Sequence, residues 1–302
     1  MSVGAMTRLT GSGLSIVEWK PLSGVVPPLN ALSWDQEFQR YKQFPEFQSN
    51  PSLSLEGFKY IFWWEFSHRL LARSIVVLIL LPYFILLLWR KDSARDLKQV
   101  LLLLILIGIQ GALGWYMVQS GLVKVPRVSH LRLMVHFIWA SFIIGFLARW
   151  LRAETQDDRW PARPQDLFYL KFLSGVCLAQ MALGALVAGS RAGYIFNTFP
   201  KMGDTWTPSQ FSIFPTVTEN LIYNQINLQF FHRLGGWLML VAGIYAFWRK
   251  FYLIGSLILI QFLLGVFTLI LMIPVSLATF HQLCAVILFF VLQFNLPSPQ
   301  ER

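Results

Sequence analysis

The sequence predicts an all-α integral membrane protein made of two related helical halves. Hydrophobic residues make up 55% of the 302 residues and charged residues only 13%, whereas a typical soluble domain is about one-quarter charged. The apolar residues are gathered in seven long runs, and short motifs of the first half recur in the same order in the second half. These features indicate a multi-pass membrane protein with an internal repeat.

The formal net charge of +10 does not indicate nucleic-acid binding, because the basic residues cluster in short loops between apolar runs. Such clusters are typical of the cytoplasmic loops of membrane proteins. The two cysteines, Cys177 and Cys284, lie inside apolar runs and form neither a CxxC motif nor a zinc-binding spacing. We therefore expect neither a disulfide framework nor a cysteine-ligated metal.

The apolar runs are long enough to cross the bilayer, which takes about 20 residues of helix. The predicted spans cover residues 60–89, 99–118, 130–149, 167–189, 229–248, 251–273 and 274–294. The last two form one apolar stretch that is too long for a single helix, and Pro274 interrupts it. A proline at this point predicts a helical hairpin.

The charge of the loops predicts the orientation of the spans. Segments 90–98, 149–166 and 249–250 hold ten Lys and Arg in 29 residues, whereas segments 119–129, 190–228 and 274–280 hold four in 57. The first set and the C-terminus are therefore predicted to be cytoplasmic. The segment before residue 60 then lies outside, and residues 34–47 are predicted to form an amphipathic surface helix.

The internal repeat predicts two pseudo-symmetric four-helix-bundle halves, over residues 1–150 and 151–302. The matched segments are EFSHRL (65–70) with QFFHRL (229–234), LILIGIQGALG (104–114) with LILIQFLLG (257–265), VHF (135–137) with TFHQ (279–282), and GAMTRLTGSG (4–13) with GALVAGSRAG (184–193). Seven spans are visible, and the repeat predicts an eighth ahead of Met1. We expect that this helix has been lost from the sequence; a true seven-span protein is the alternative.

Four histidines lie at matching depth in spans that run from outside to inside: His68, His136, His232 and His281. Equal depth on parallel helices suits a haem held between two imidazoles. The repeat pairs the first two with each other and the last two with each other. The alternative for any one of them is a hydrogen bond between helices. His130, at the membrane edge, is interpreted as an interfacial histidine.

Two charged motifs accompany these histidines. Arg69 and Arg233 directly follow their histidines, so they are predicted to bind haem propionates or, alternatively, to reach outward to lipid phosphate. Glu65 lies three residues before His68, whereas Gln229 occupies the corresponding place before His232. A carboxylate inside the membrane predicts proton transfer in the first half. The alternative is an ion pair of Glu65 with Arg69 or Arg73.

The sequence resembles haem A synthase of the mitochondrial and alphaproteobacterial type over essentially its whole length. The resemblance is carried by the motifs TRLTGSGLSIVEWKP (7–21), EFQRYKQFPEF (37–47), EFSHR (65–69) and FFHRLGGW (230–237). It implies oxidation of a methyl group of haem O to a formyl group, by two hydroxylations and loss of water. Haem b would be held by His232 and His281, and the substrate by His68 and His136 beside Glu65.

The resemblance also implies a location and partners. The membrane would be the bacterial inner membrane, or the mitochondrial inner membrane in a eukaryote. Haem O synthase and terminal oxidase subunits are the expected partners, membrane lipid surrounds the chain, and a homo-oligomer is left open. Two other functions are weighed: a di-haem b-type electron-transfer protein, and a haem carrier that holds haem without reacting it.

Overall fold

The structure, a computed structural model, describes residues 1–20, 24–89, 94–123, 126–155 and 164–296 of the chain. In these ranges the chain is helical and forms no β-strand. The helices are α1 (Ser2–Leu9), α2 (Ala31–Tyr41), α3 (Pro45–Ser49), α4 (Leu55–Trp89), α5 (Ala94–Gln119), α6 (His130–Thr155), α7 (Pro164–Ser190), a 3₁₀ turn (Ala192–Tyr194), α8 (Val217–Ile222), α9 (Gln225–Trp248), α10 (Tyr252–Ile270) and α11 (Val275–Phe294).

Seven helices of the described chain, α4 to α7 and α9 to α11, are long and apolar enough to cross a membrane. The predicted all-α membrane fold and its seven spans are therefore confirmed. Arg90, Lys91 and Arg163, which carry part of the loop charge used for orientation, lie outside the described residues. The side of the membrane assigned to each loop stays a prediction, as does the eighth helix ahead of Met1.

The described residues divide into two compact units, Met1–Arg132 and Leu133–Arg302. In the first unit α1, α2 and α5 each pack against α4. Helix α4 begins at Leu55, five residues before the predicted span, because its first turns bury Phe58 and Phe62 against Phe38 of α2. This packing extends the helix beyond the part that hydropathy alone indicates.

The amphipathic stretch predicted over residues 34–47 is helical, but it is split into α2 and α3. Pro45 is the first residue of α3, where its fixed φ is tolerated and its missing N–H is not needed. Tyr41 and Phe38, on the apolar side of α2, are buried against Phe58 of α4. The apolar face of this segment is therefore covered at least partly by the protein itself.

In the second unit four helices form a closed bundle. Helix α7 packs against α9, α9 against α10, α10 against α11, and α11 against α7. Its core contains the fully buried side chains of Leu170, Leu173, Leu288 and Leu292. In this arrangement α9 and α11 lie diagonally across the bundle, so side chains from these two helices can meet in its interior.

The hairpin predicted at Pro274 is confirmed. Helix α10 ends at Ile270 and α11 begins at Val275, with Pro274 as the residue before its first turn. Met272 and Ile273 between them have positive φ values of 59° and 62°. Such values are rare for non-glycine residues and reverse the chain direction within a few residues.

Two glycines allow α9 and α10 to approach closely. A Cβ atom at Gly243 would lie 2.7 Å from Cγ2 of Ile258, and one at Gly255 would lie 2.8 Å from the ring of Phe247. Small residues at such crossings are the usual device for packing membrane helices, because contact between backbones replaces the hydrophobic driving force that lipid removes.

We predict that Gly243→Leu lowers the stability of the second unit by about 1–3 kcal/mol, because the new side chain overpacks the crossing of α9 and α10. The measurement is thermal unfolding of the purified chain in detergent. Gly175→Leu on α7 is the matched control, since a Cβ there meets nothing within 4 Å. Equal midpoints for the two variants would contradict the prediction.

Candidate functional site

The two histidines predicted as the second-half pair face each other inside the second unit. His232 on α9 and His281 on α11 have ring centroids 6.4 Å apart and ring planes at 87°. A metal between two imidazole nitrogens needs bonds of about 2 Å on each side, and with the ring radii the centroids would be about 6 Å apart. The observed separation therefore fits a metal held between the two rings.

The neighbours of His281 determine which of its nitrogens is available. Nδ1 of His281 lies 3.1 Å from the backbone carbonyl oxygen of Gln261 on α10. A carbonyl oxygen only accepts hydrogen bonds, so Nδ1 carries the hydrogen and Nε2 keeps its lone pair, which faces the side-chain amide nitrogen of Gln261 at 3.4 Å. Donation from the other ring nitrogen to a backbone carbonyl is the usual arrangement for a metal-ligating histidine.

His232 is held against α7. The side-chain amide nitrogen of Gln180 donates to the backbone carbonyl of His232 at 2.8 Å. One turn further along α7, a Cβ atom at Gly184 would lie 3.1 Å from Cε1 of the same imidazole. The ring therefore lies directly over a glycine.

Several buried polar atoms around this pair are left without a hydrogen-bond partner in the described part of the chain. They are Nδ1 of His232, Nε of Arg233 and the side-chain oxygens of Gln180, Gln229 and Gln261. Unpaired buried polar groups are rare in folded proteins and point to a missing bonded group. A haem would bring carboxylates that can accept from Nε of Arg233 and a metal that an imidazole can bind, whereas the three glutamine oxygens need donors that haem does not supply.

A bare metal ion fits the pair less well. Two imidazoles supply half of a tetrahedral ligand set. Among the residues that the structure describes, no third His, Cys, Asp or Glu side chain joins such a group. A macrocycle that brings its own four nitrogens needs only two further ligands, the number of imidazoles that face each other here.

In the first unit, His68 on α4 lies against α1. A Cβ atom at Gly4 would lie 2.9 Å from Nε2 of His68. Thr7, one turn later on α1, donates to the backbone carbonyl of Trp64 at 3.2 Å. The imidazole of His68 therefore faces a glycine as His232 does, and the repeat had aligned these two glycines.

Glu65 is buried, with 2% of its surface exposed, and each of its carboxylate oxygens accepts two hydrogen bonds. Oε1 accepts from Nη2 of Arg69 at 2.6 Å and from Nε at 3.1 Å. Oε2 accepts from Oγ of Ser15 at 2.7 Å and from the backbone N–H of Ile16 at 2.8 Å. The ion pair with Arg69, one of the sequence alternatives, is therefore present. The catalytic role of Glu65 stays a prediction.

Arg69 and Arg233 bind the backbone of segments that precede their helices in the chain. Nη2 and Nη1 of Arg69 donate to the carbonyls of Ile16 and Glu18 at 2.7 and 2.9 Å. Nη2 and Nη1 of Arg233 donate to the carbonyls of Phe196 and Thr198 at 2.7 and 2.8 Å. We call residues 15–19 and 195–201 the two straps. The propionate and lipid-phosphate roles of both arginines stay predictions.

The residues at the Glu65 position contact the straps differently in the two units. Glu65 accepts two bonds from the first strap, whereas the amide of Gln229 donates to the carbonyl of Phe196 at 3.0 Å. The side-chain oxygen of Gln229 has no partner in the described chain. A glutamine at this position is thus compatible with a strap bound to its helix.

The remaining predicted residues are placed as follows. His136 lies on α6, six residues after His130, which is the first residue of that helix. His68 belongs to the first unit and His136 to the second, and their pairing stays a prediction. Arg73 donates to the carbonyl of Lys20 at 2.7 Å.

Sequence reasoning missed the straps and the glycines that the histidines touch. The only signal for the straps was the alignment of residues 4–13 with 184–193, which continues without a gap to Ile16 over Phe196. The same alignment placed Gly4 over Gly184, but a shared glycine does not by itself indicate what packs on it.

A second carboxyl group lies outside the spans, on α3. Burial raises the pKa of Glu46 from its ordinary value to about 7, and the negative charge of Glu65 acts in the same direction. Oε2 of Glu46 has no hydrogen-bond partner in the described chain. Burial and the negative charge of Glu65 both favour the protonated form of Glu46.

Fold and site together define a polytopic helical membrane protein with a duplicated histidine–arginine motif and a partly buried pair of histidines suited to haem. The model of the cytochrome oxidase assembly protein family, COX15-CtaA, matches residues 1–293. The chain belongs to this family.

Curated relatives cover most of the chain. A heme A synthase of Rhizorhabdus wittichii is 41% identical over 95% of this chain and 86% of its own length. A heme A synthase of Rickettsia felis is 39% identical over 95% of this chain and 89% of its own. One from Bradyrhizobium is 39% identical over 99% and 87%. No solved structure matches the chain significantly.

We predict that the chain becomes less stable as pH rises from about 4 to 7. The pKa of Glu46 is higher in the folded state than its unfolded value of about 4.3, so the folded state binds the extra proton. The stabilisation is complete below the unfolded pKa and is lost as pH passes the folded one, on the order of 3–4 kcal/mol in total.

Thermal unfolding in detergent at a series of pH values measures this effect. Glu46→Gln should remove most of the slope, whereas Glu37→Gln, which changes a carboxylate paired with Arg40 at 2.9 Å, should leave it. An unchanged slope in Glu46→Gln would show that other groups cause it.

Proposed function

We propose that this chain oxidises a methyl group of haem O to a formyl group, producing haem A for terminal oxidase assembly. The observation that carries the proposal is the asymmetry between two related sites. Each has a histidine followed by an arginine that holds a strap, but Glu65 stands beside one histidine and Gln229 beside the other. A reacting site needs an ionisable group, and a permanent cofactor site does not. The relatives named heme A synthase support the same reaction.

Haem b is assigned to His232 and His281 in the second half. The separation of their rings, the donation from His281 to Gln261, and the unpaired polar atoms beside them support this assignment. When bound, haem b would supply one-electron redox chemistry. His232 and His281 would hold its iron, and the four helices of the second unit would surround it.

Substrate haem O is assigned to the first half, with His68 and His136 as its iron ligands. Conversion of a methyl to a formyl group proceeds through two hydroxylations of the same carbon, and the resulting gem-diol loses one molecule of water. Overall the carbon gains one oxygen atom at the oxidation level of water and releases four protons and four electrons, and the electrons pass to an external electron acceptor. The reacting carbon gives up protons, so a base beside it is required. Glu65 is the carboxylate in this half, one helical turn from His68.

The outer charged groups complete the assignment. Arg69 and Arg233 are assigned to the haem carboxylates as well as to the straps, because a guanidinium has five N–H donors and Nε of Arg233 is buried without a partner in the described chain.

The chain would lie in the bacterial inner membrane with a cytoplasmic C-terminus. A haem O synthase would deliver the substrate, and terminal oxidase subunits would receive the product.

We predict that Glu65→Gln lowers haem A formation by about 100-fold or more while the chain still binds both haems, because the amide removes the base and keeps the size of the side chain. Gln229 shows that an amide at this position is compatible with a bound strap. The measurement is reversed-phase chromatography of haems extracted from protein purified from cells that make haem O.

Glu56→Gln is the matched control on the same helix, since Glu56 is exposed and pairs with Lys59 at 2.6 Å. It should yield wild-type haem A. Wild-type haem A from Glu65→Gln would exclude the catalytic role of Glu65. Wild-type protein that binds haem O without ever yielding haem A would instead identify a carrier.

We predict that His232→Ala and His281→Ala each lose haem b, with retention weakened by about 10–100-fold, because one axial ligand is removed. His130→Ala serves as the control histidine on another helix. The reduced-minus-oxidised absorbance spectrum and the extracted haem b per chain measure the effect. Full haem b content in either variant would show that the cofactor is held elsewhere.

A further inference from the structure

Each histidine of the second-half pair packs on a glycine of a neighbouring helix, one turn after a glutamine that bonds the same histidine. His232 lies over Gly184 of α7, and His281 lies over Gly265 of α10. A glutamine stands four residues before each glycine, and it contacts the same histidine. Gln180 donates its side-chain N–H to the backbone carbonyl of His232, and the backbone carbonyl of Gln261 accepts from Nδ1 of His281. A glutamine and a glycine one turn apart thus form the seat of each imidazole.

The glycines leave no room for a side chain. A Cβ atom at Gly265 would lie 2.9 Å from Cε1 of His281, and one at Gly184 would lie 3.1 Å from Cε1 of His232. Carbon atoms in favourable contact are about 3.5–4.0 Å apart. Each ring would therefore have to shift by about half an ångström or tilt.

The glutamine side of the seat resists such a shift. Nδ1 of His281 is bonded to the carbonyl of Gln261, which belongs to the helix backbone and cannot follow the ring. Oε1 of Gln180 lies 2.1 Å from the position that a Cβ atom of Gly235 would take, so Gln180 is itself packed tightly on α9. The ring of His281 is bonded on one side and confined by the backbone at Gly265 on the other. The ring of His232 is confined by the backbone at Gly184, and its own backbone carbonyl is bonded to Gln180.

We propose that Gln180–Gly184 and Gln261–Gly265 are positioning pairs that set the orientation of the two imidazoles at the haem b site. They act through His232 and His281 and touch no substrate. The inference rests on the assignment of haem b to this site under the proposed function. The sequence contains the same spacing at Gln110 and Gly114 of α5, and Gly4 of α1 packs on His68 in the first unit.

The test compares Gly184→Ala and Gly265→Ala with two controls in the full-length chain. Gly175→Ala on α7 adds a methyl group where nothing lies within 4 Å. Gly255→Ala on α10 adds one that meets the ring of Phe247 at 2.8 Å, so it strains helix packing without contacting a histidine. Alanine raises helix propensity over glycine by about 1 kcal/mol, so the substitutions do not weaken the helices themselves.

The readouts are the g values of the low-spin ferric signal in electron paramagnetic resonance, the midpoint potential of haem b, and the rate of haem loss to a haem-scavenging protein. We expect both site variants to shift the g values and the potential and to lose haem about tenfold faster or more. Gly175→Ala should match the wild type. Gly255→Ala should lower thermal stability and leave the g values unchanged.

The possible results distinguish a failure of the positioning role from a failure of the proposed function. Wild-type spectra and haem loss in both site variants would overturn the positioning role while the haem b site stands. The same spectral shift in Gly255→Ala as in Gly265→Ala would also overturn it, by tracing the effect to general packing. Absence of haem b from wild-type protein, or full haem b in His232→Ala, would instead overturn the proposed function on which the inference rests.

Discussion

Polar side chains inside a helical membrane protein must find their partners within the protein, and this constraint accounts for most of the site. Lipid offers no hydrogen bonds, so a buried guanidinium, carboxylate or imidazole without a partner is strongly unfavourable. Arg69 and Arg233 meet the requirement with backbone carbonyls of the straps. His281 meets it with a helix carbonyl. Each bond that satisfies a side chain also brings a segment of backbone to a defined place at the site.

The same contact between an arginine and a strap occurs in both units. In both units the arginine after the histidine binds carbonyls two residues apart on the strap, at Ile16 and Glu18 and at Phe196 and Thr198. The arrangement is a product of the internal repeat, so it is present in both units although their other contacts differ. The arginine follows the histidine directly in the helix. The helix that positions the imidazole therefore also positions the guanidinium that binds the strap.

The two repeats differ in single polar side chains, whereas the contact between arginine and strap is the same in both. Glu65 binds Ser15 and Ile16, while Gln229 binds the carbonyl of Phe196 and leaves its own oxygen unpaired in the described chain. A carboxylate accepts only, whereas an amide both donates and accepts. The exchange therefore reverses the direction of hydrogen bonding at this position without displacing the strap. At this position only the first half therefore carries an ionisable side chain.

The sequence by itself determined the membrane class, the seven spans, the repeat and the four histidines, because hydropathy and motif order are properties of residues along the chain. It also indicated the carboxylate asymmetry at Glu65. Only the tertiary structure decided that Arg69 binds Glu65 and a strap, that α4 starts at Leu55, and that glycines form the seats of His232 and His281. These features depend on which backbones approach each other, and such contacts join residues far apart in the chain, where local pattern carries no information about distance.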